Sequence, residues 1–307
     1  MKITACLCLV FCSFTGLASS LMSDLTTLAS DDMLGRKTGT PGSHSAALFI
    51  EQQFSTEGLS QYQGQFLHPF NYRSGFTNKQ GVNVIAQLGA LDNHQPLIIF
   101  TAHYDHLGQR GHKIFNGADD NASGVAALLH LARQFKSQTI HHTMLFVATD
   151  AEENGLYGAK ALVQNLLDAG HKVVLNINLD MLAIKPKRGH VFAFADKRLA
   201  PFENMIEQYN QALNSNITFS SSNNLINRLN KTDKIDWRRA SDHSAFREQK
   251  IPFLYFGVGT HKYYHTDKDE VSNIDVEFYH TTVQAIELIS LALDQQNLAA
   301  LLLGADS

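Results

Sequence analysis

The sequence predicts an α/β three-layer sandwich, with a mostly parallel central mixed sheet covered by helices on both faces. Three observations carry this. From about residue 81 onward, short apolar runs alternate with segments of helical period. The runs are largely apolar rather than alternating, as expected of strands buried on both faces. Turn residues bound them, and no repeat, long linker or low-complexity tract intervenes.

Element by element, GVNVIAQLG (81–89) and PLIIFTAHY (96–104) read as strands, and ASGVAALLHLARQF (122–135) as an Ala- and Leu-rich helix. TMLFVATD (143–150) is a further strand. LYGAKALVQNLLDAG (156–170) is a helix stopped by Gly170, and KVVLNINLDM (172–181) is another buried strand. FENMIEQYNQAL (202–213) reads as a helix, IPFLYFGV (251–258) as a strand, and VEFYHTTVQAIELISLAL (276–293) as a long closing helix. The Asn-rich stretch from Ser220 to Lys234 reads as a surface loop.

The first twenty residues have their own signature. Lys2 gives a positive start, Ile3 to Phe14 an apolar run, and Gly16 to Ser20 the small residues of a cleavage site. The reading is a signal peptide over 1–20 and a single catalytic domain over 21–307, exported to the periplasm or medium. The apolar run is too short to span a bilayer, so no stable membrane insertion of the mature chain is expected. Cys6, Cys8 and Cys12 all fall inside the removed segment. The mature chain then has no disulfide and no thiolate ligand, and any metal must be held by His, Asp and Glu. A formal net charge of −4 over 307 residues gives no reason to expect nucleic acid as a partner.

Acids and histidines gather at the predicted strand ends, where open α/β sheets build their sites. In TAHYDHLG, His103 and Asp105 fall on one face if the chain stays extended, so that Asp105 can orient a metal-bound imidazole. In NGADDNASG, Asp119 and Asp120 precede a helix; Asp120 or Asn121 can cap it by accepting backbone N–H bonds, or a carboxylate there can be shared by two cations. In ATDAEENGLYG, Glu152 and Glu153 repel one another unless a cation or proton separates them; a solvated acidic loop is the plainer alternative. Asp180 ends an apolar strand, where an unpaired acid is costly. His265 follows Tyr264 in YYHTDKDEVSNID, and RASDHSAF adds Asp242 and His243. Ser241, Asp242 and His243 are consecutive and cannot form a hydrolase triad. Jointly the clusters supply nitrogen and oxygen ligands for two cations, a donor set that suits zinc and also accepts manganese or cobalt.

The ordered set His103 with Asp105, Asp119-Asp120, Glu152-Glu153, Asp180 and His265 resembles the co-catalytic zinc aminopeptidases of metallopeptidase family 28, of the bacterial leucyl-aminopeptidase type. HYDHLG, NGADDNASG, EENGLYG, SDHSAF and YYHTDKDEVSNID match its texture, and the likeness runs from about Ser30 to the final helix. The resemblance implies two zinc ions per chain, one on His103 and Asp180 and one on Glu153 and His265, with Asp119 bridging. It implies Glu152 as general base, Tyr264 as a hydrogen-bond donor to the oxyanion, a cis peptide between Asp119 and Asp120, and peptides with a free N-terminus as substrates. Some members carry a disulfide near the substrate pocket, which the mature chain cannot form. A glutaminyl-cyclase-like enzyme shares the fold and some ligands but works with one zinc; the intact GADDNASG run and full ligand set favour the peptidase. A carboxypeptidase or dipeptidase shares the fold-level signal. A non-catalytic binding module would have lost a ligand or the base, and none is missing.

Overall fold

The computed structural model describes residues 14–91, 95–187, 189–230 and 235–299. Its strands are β1 (Ser60–Gln61), β2 (Leu67–Ser74), β3 (Thr77–Leu88), β4 (Leu97–His103), β5 (Gly108–Arg110), β6 (Lys113–Phe115), β7 (Thr143–Thr149), β8 (Val173–Leu179), β9 (Val191–Ala195), β10 (Ile217–Ser220) and β11 (Phe253–Gly257). Its α-helices are α1 (Phe14–Leu28), α2 (Pro41–Thr56), α3 (Gly124–Lys136), α4 (Tyr157–Asp168), α5 (Glu203–Leu213), α6 (Asn223–Asn230), α7 (His243–Glu248) and α8 (Val276–Asp294).

Nine strands form one sheet in the order β1-β3-β7-β4-β8-β11-β9-β10, with β2 paired to β3; β5 and β6 make a small separate hairpin. The centre, β7-β4-β8-β11, is parallel, while β3 and β9 join its two sides antiparallel. Strands β4, β7 and β8 are buried along their whole length, which is why they read as unbroken apolar runs.

The two-residue period of a strand divides the core into layers. Ile98, Phe100 and Ala102 of β4 face a core shared with α1, α2, α3 and α8; Leu97 and Ile99 face the opposite one, shared with α4 and α7. Phe100 stacks on Phe146 of β7 at 5.0 Å and meets Phe135 of α3 edge-on at 5.6 Å. Burial of each such ring contributes about 1.5–3 kcal/mol. The expected strand and helix segments all appear, with ends shifted by a few residues.

The segment from Ser220 to Lys234 differs from the loop expected of it. Residues 223–230 form α6, and Asn223 and Asn227, one turn apart, turn inward. Both side-chain amides donate to Ile235 O at 2.9 Å, Asn223 Oδ1 accepts from Trp237 N at 2.7 Å, and Asn227 Oδ1 accepts from Trp237 Nε1 at 2.6 Å. Polar composition there serves as tethering, not as solvation. In α1, Leu21, Leu25 and Leu28 form a buried stripe. Of the predicted signal segment, residues 1–13 lie outside the described residues, and Ala18 to Ser20 fall within α1. Among the described residues no helix is long and apolar enough to cross a membrane.

Candidate metal centre

Because β4, β7 and β8 are parallel, their carboxyl ends lie on one edge of the sheet. His103 is the last residue of β4, Glu152 and Glu153 follow β7, and Asp180 follows β8. The turn before α3 brings Asp120 to the same edge, and the loop after β11 brings His265. Three of these positions adjoin or occupy left-handed backbone: Ala151 (φ 57°), Met181 (φ 63°) and His265 itself (φ 57°). Such conformations are uncommon for non-glycine residues and concentrate at functional sites.

The carboxylate of Asp120 stands between two groups. Its Oδ1 lies 3.4 Å from His103 Nε2, which is 3.5 Å from Asp180 Oδ1. Its Oδ2 lies 3.2 Å from His265 Nε2 and 3.7 Å from His106 Nδ1; both imidazoles also approach Glu153 Oε1, at 3.2 and 3.1 Å. The sets His103, Asp120, Asp180 and His106, Asp120, Glu153 each have the ligand atoms to hold a cation.

Asp119, expected to bridge, points the other way. Its Oδ1 accepts from Ala183 N at 2.6 Å and from Ser123 Oγ at 3.2 Å, and its Oδ2 lies 3.0 Å from His261 Nε2. The cis peptide is likewise one residue later than expected, between Asp120 and Asn121. Adjacent acids at the mouth of a helix look alike in sequence; the backbone turns them to opposite sides. Asp105 also differs in detail. His103 Nδ1 meets the backbone carbonyl of Asp105 at 3.1 Å, and the Asp105 carboxylate is 3.8 Å away from it. That carboxylate accepts instead from Glu152 N at 3.0 Å and Glu153 N at 3.3 Å, holding the acidic turn in place.

Of the positioning residues, Asn121 is legible in the sequence only as a possible helix cap, and Arg36 and Asp269 carry no signal there. Asn121 Oδ1 accepts from Gly124 N and Met181 N, and its Nδ2 donates to Leu179 O, which ties the start of α3 to the end of β8. Gly124 permits this approach, since a Cβ there would stand 2.3 Å from Asn121 Oδ1 and 2.4 Å from Leu179 O. Asp269 accepts from the backbone N–H groups of Asp119 and Asp120, both at 2.9 Å. Arg36 is fully buried and, among the described residues, donates to four carbonyls, those of Leu28, Tyr104, Asn116 and Gly117. It thereby clamps the chain after β4 to the turn that leads to Asp120. Burial lowers its pKa to about 10, against the pull of Asp269, Asp120, Asp105 and Glu153.

The charges explain what the arrangement requires. Burial disfavours the charged form of His103, but Glu152, Asp180 and Asp120 outweigh it and hold its pKa well above the ordinary value. His265 is likewise pulled up to about 10 by Asp120 and Glu153 in spite of burial. Burial pushes Glu153 up, yet His106 and His265 beside it bring it below the carboxylate range. Glu152 sits well above that range, chiefly from burial, with Asp242, Asp180 and Glu153 adding repulsion that His103 tempers. Asp120 Oδ2, Glu153 Oε1, Asp180 Oδ1 and both nitrogens of His106 are buried without a hydrogen-bond partner. Buried polar atoms are seldom left so. Converging oxygen and nitrogen atoms of this kind are what a pair of divalent cations would satisfy.

A cavity of about 320 Å³ opens over these groups. Glu152 lines it beside His103, Asp180 and His265, while Met181, Ile235, Trp237, Ala240 and Tyr255 give it an apolar wall. Tyr264, partly exposed, also lines it and stacks on His265 at 3.8 Å between ring centres. Asp242 and His243 lie behind the wall. Asp242 accepts from Thr149 Oγ1, and His243 Nε2 meets Trp237 O at 2.7 Å.

Comparison with known proteins follows the same lines. The chain is 32% identical over 170 residues to the alkaline phosphatase isozyme conversion protein of Escherichia coli, covering 50% of this chain and 48% of that protein. It is 29% identical over 230 residues to aminopeptidase YwaD of Bacillus subtilis, covering 71% of this chain and 45% of that protein. It thus spans about half the length of these curated relatives. Among solved structures, a zinc aminopeptidase from Bacillus subtilis superposes with a TM-score of 0.73 at 15% identity, covering 92% of this chain and 97% of that one. A glutaminyl cyclase from Porphyromonas gingivalis superposes with a TM-score of 0.65 at 17% identity, covering 89% of this chain and 96% of that one. At such identities these likenesses show the α/β fold alone. The sequence model of peptidase family M28 matches residues 83–289, from β3 into α8 and across every cation-facing side chain described above, and the chain belongs to that family.

Proposed function

We propose that the protein is a zinc-dependent aminopeptidase holding two ions, which hydrolyses the first peptide bond of peptides with a free N-terminus. The observation that carries this reading is the pair of ligand sets sharing Asp120, in which Asp120 Oδ2, Asp180 Oδ1 and Glu153 Oε1 are buried without a hydrogen-bond partner, with Glu152 beside them at the cavity. Family membership and the aminopeptidase and zinc names of the relatives support the reaction class.

His103, Asp180 and Asp120 would hold one ion, and Asp120, Glu153 and His265 the other. Two zinc ions held there would lower the pKa of a nearby water and polarise the scissile carbonyl. Glu152, at the cavity and outside both ligand sets, takes the proton of the attacking water and returns it to the departing amine. The Tyr264 hydroxyl donates to the oxygen that gains charge. Asp105 keeps the Glu152-Glu153 turn in register through its two backbone N–H groups. The acidic lining favours a free ammonium group over an acetylated one, and the apolar wall fits an apolar first side chain. Lys2 and the apolar run from Ile3 to Phe14 support export.

The test is the purified chain on N-terminally free and N-acetylated peptides, with and without chelator, with products followed by mass. Loss of single N-terminal residues from free peptides only, abolished by chelation and restored by zinc, is the expected result. Loss of ammonia from N-terminal glutamine without chain shortening would replace the peptidase with a cyclase. Zinc binding with no turnover would leave a binding module.

A further inference from the structure

His106 belongs to the HYDH run after β4, and the sequence reading gave it no role. Its ring is wholly buried: its side chain is 0% exposed. Neither nitrogen has a hydrogen-bond partner among the described residues. A buried imidazole left so is costly, and packing alone would be better served by an apolar ring.

The surroundings of Nδ1 supply the reason. It lies 3.1 Å from Glu153 Oε1 and 3.7 Å from Asp120 Oδ2, and both oxygens are themselves buried and unpartnered. The contact with Glu153 is short enough for a hydrogen bond, but its direction does not make one. The same two oxygens each stand 3.2 Å from His265 Nε2. A catalytic zinc site keeps a position for water, so four protein donors require five ligands in all, and neighbouring donors at about 2.0–2.1 Å are then about 2.8–3.6 Å apart. Of the four separations around these oxygens, those of 3.1, 3.2 and 3.2 Å lie within that range and the one of 3.7 Å lies just beyond it.

The backbone is shaped to hold the ring there. Gly117, at φ +54°, passes over it so closely that a Cβ would stand 2.6 Å from the ring carbons Cγ and Cδ2. Arg36 O accepts from His106 N at 3.3 Å, so the buried guanidinium clamp also anchors this residue. Ring position is thus fixed from both sides before any ion binds.

We propose that His106 is a further protein ligand of the second cation, through Nδ1, beside Asp120, Glu153 and His265. This rests on the two-ion reading above. It makes the two sites unequal: the first has one imidazole and two carboxylates, the second two imidazoles and two carboxylates, with Asp120 common to both. The second site then fills first and is the last to be emptied by a chelator. With Nδ1 on the cation, the imidazole is neutral and Nε2 carries its proton.

The test uses the full chain labelled with nitrogen-15 at histidine, stripped by chelator and loaded with cadmium-113. One-bond cadmium–nitrogen couplings are then read in imidazole NMR spectra, with His106→Asn used to assign the His106 signals. The expected result is a coupling at His106 Nδ1 together with couplings from His103 and His265. Couplings from His103 and His265 but none from His106 overturn the proposal and leave the two-ion reading intact. No coupling from any of the three overturns that reading as well. In a zinc competition titration, His106→Asn should weaken the tighter of two sites by more than about 100-fold, beyond the 10–100-fold typical of losing an outer partner. A change below tenfold in that site counts against a direct bond.

Discussion

Asn121 Oδ1 accepts from Met181 N at 3.1 Å, and through that bond the turn carrying Asp120 is fixed to the strand end carrying Asp180. The same side chain serves Gly124 N and Leu179 O, so one amide satisfies three buried backbone groups. Asn121→Ala should therefore destabilise the metal-free protein by about 3 kcal/mol, since an orphaned buried group costs about 1–3 kcal/mol. Peptidase kcat/KM should fall at least tenfold. Urea unfolding in chelator checks the first expectation. A loss below about 0.5 kcal/mol, the size of an ordinary surface change, would show that the tie is slack.

The one-residue displacement of the bridging acid gives a direct comparison. Asp120→Asn should lose at least one zinc equivalent by metal analysis, because its carboxylate faces both imidazole groups. Asp119→Asn should retain both ions, because its oxygens serve Ala183 N, Ser123 and His261. Equal loss of metal from both variants would contradict the assignment.

Glu152→Gln should retain zinc and fold while kcat drops about 10²–10⁴-fold, the range expected on removing a general base. KM should change little. Substantial loss of zinc from this variant would mean that Glu152 acts as a ligand instead.

His243, which belongs to neither ligand set, offers a stability prediction. Its ring is buried against Phe253 and Tyr255, and burial lowers its pKa to about 4 despite the bond to Trp237 O. The folded state keeps it neutral while the unfolded chain takes up a proton near pH 6.5. Between those values the unfolded state binds more protons, so stability rises with pH across the window. The contribution is complete above about pH 6.5 and is lost as pH falls toward about 4. In chelator, the unfolding free-energy gap between the native chain and His243→Gln should shrink steadily over that range. A gap that does not vary with pH would contradict it.

What the sequence made legible follows from which signals are local. Strands buried on both faces announce themselves as apolar runs, and β4, β7, β8 and β11 were found that way. His103, Glu153, Asp180 and His265, expected from the sequence as ligands, converge at the sheet edge, each standing at a strand end or in a characteristic motif. Asp119 and Asp120 are equivalent to any reading of composition, and only the backbone path through the turn separates them. His106 drew no reading of its own, because His103 beside it already accounted for the motif. Arg36 and Asp269 reach backbone groups 68 to 150 positions away, and Asn121, legible as a cap for Gly124, also reaches Met181 N 60 positions on; such relations have no periodicity to read. Asn223 and Asn227 misled because amides that tether look, in one dimension, like amides that face water.

The burial of Arg36 bears on what happens before any ion arrives. A guanidinium that keeps its proton to about pH 10 and sits among Asp269, Asp120, Asp105 and Glu153 is a permanent internal counterion to the acidic cluster. Four carbonyl bonds fix where that charge stands. Repulsion that would otherwise spread the carboxylates apart is partly cancelled in the empty protein, so the site can wait in its finished shape. A cation entering there would displace protons from a frame already in place.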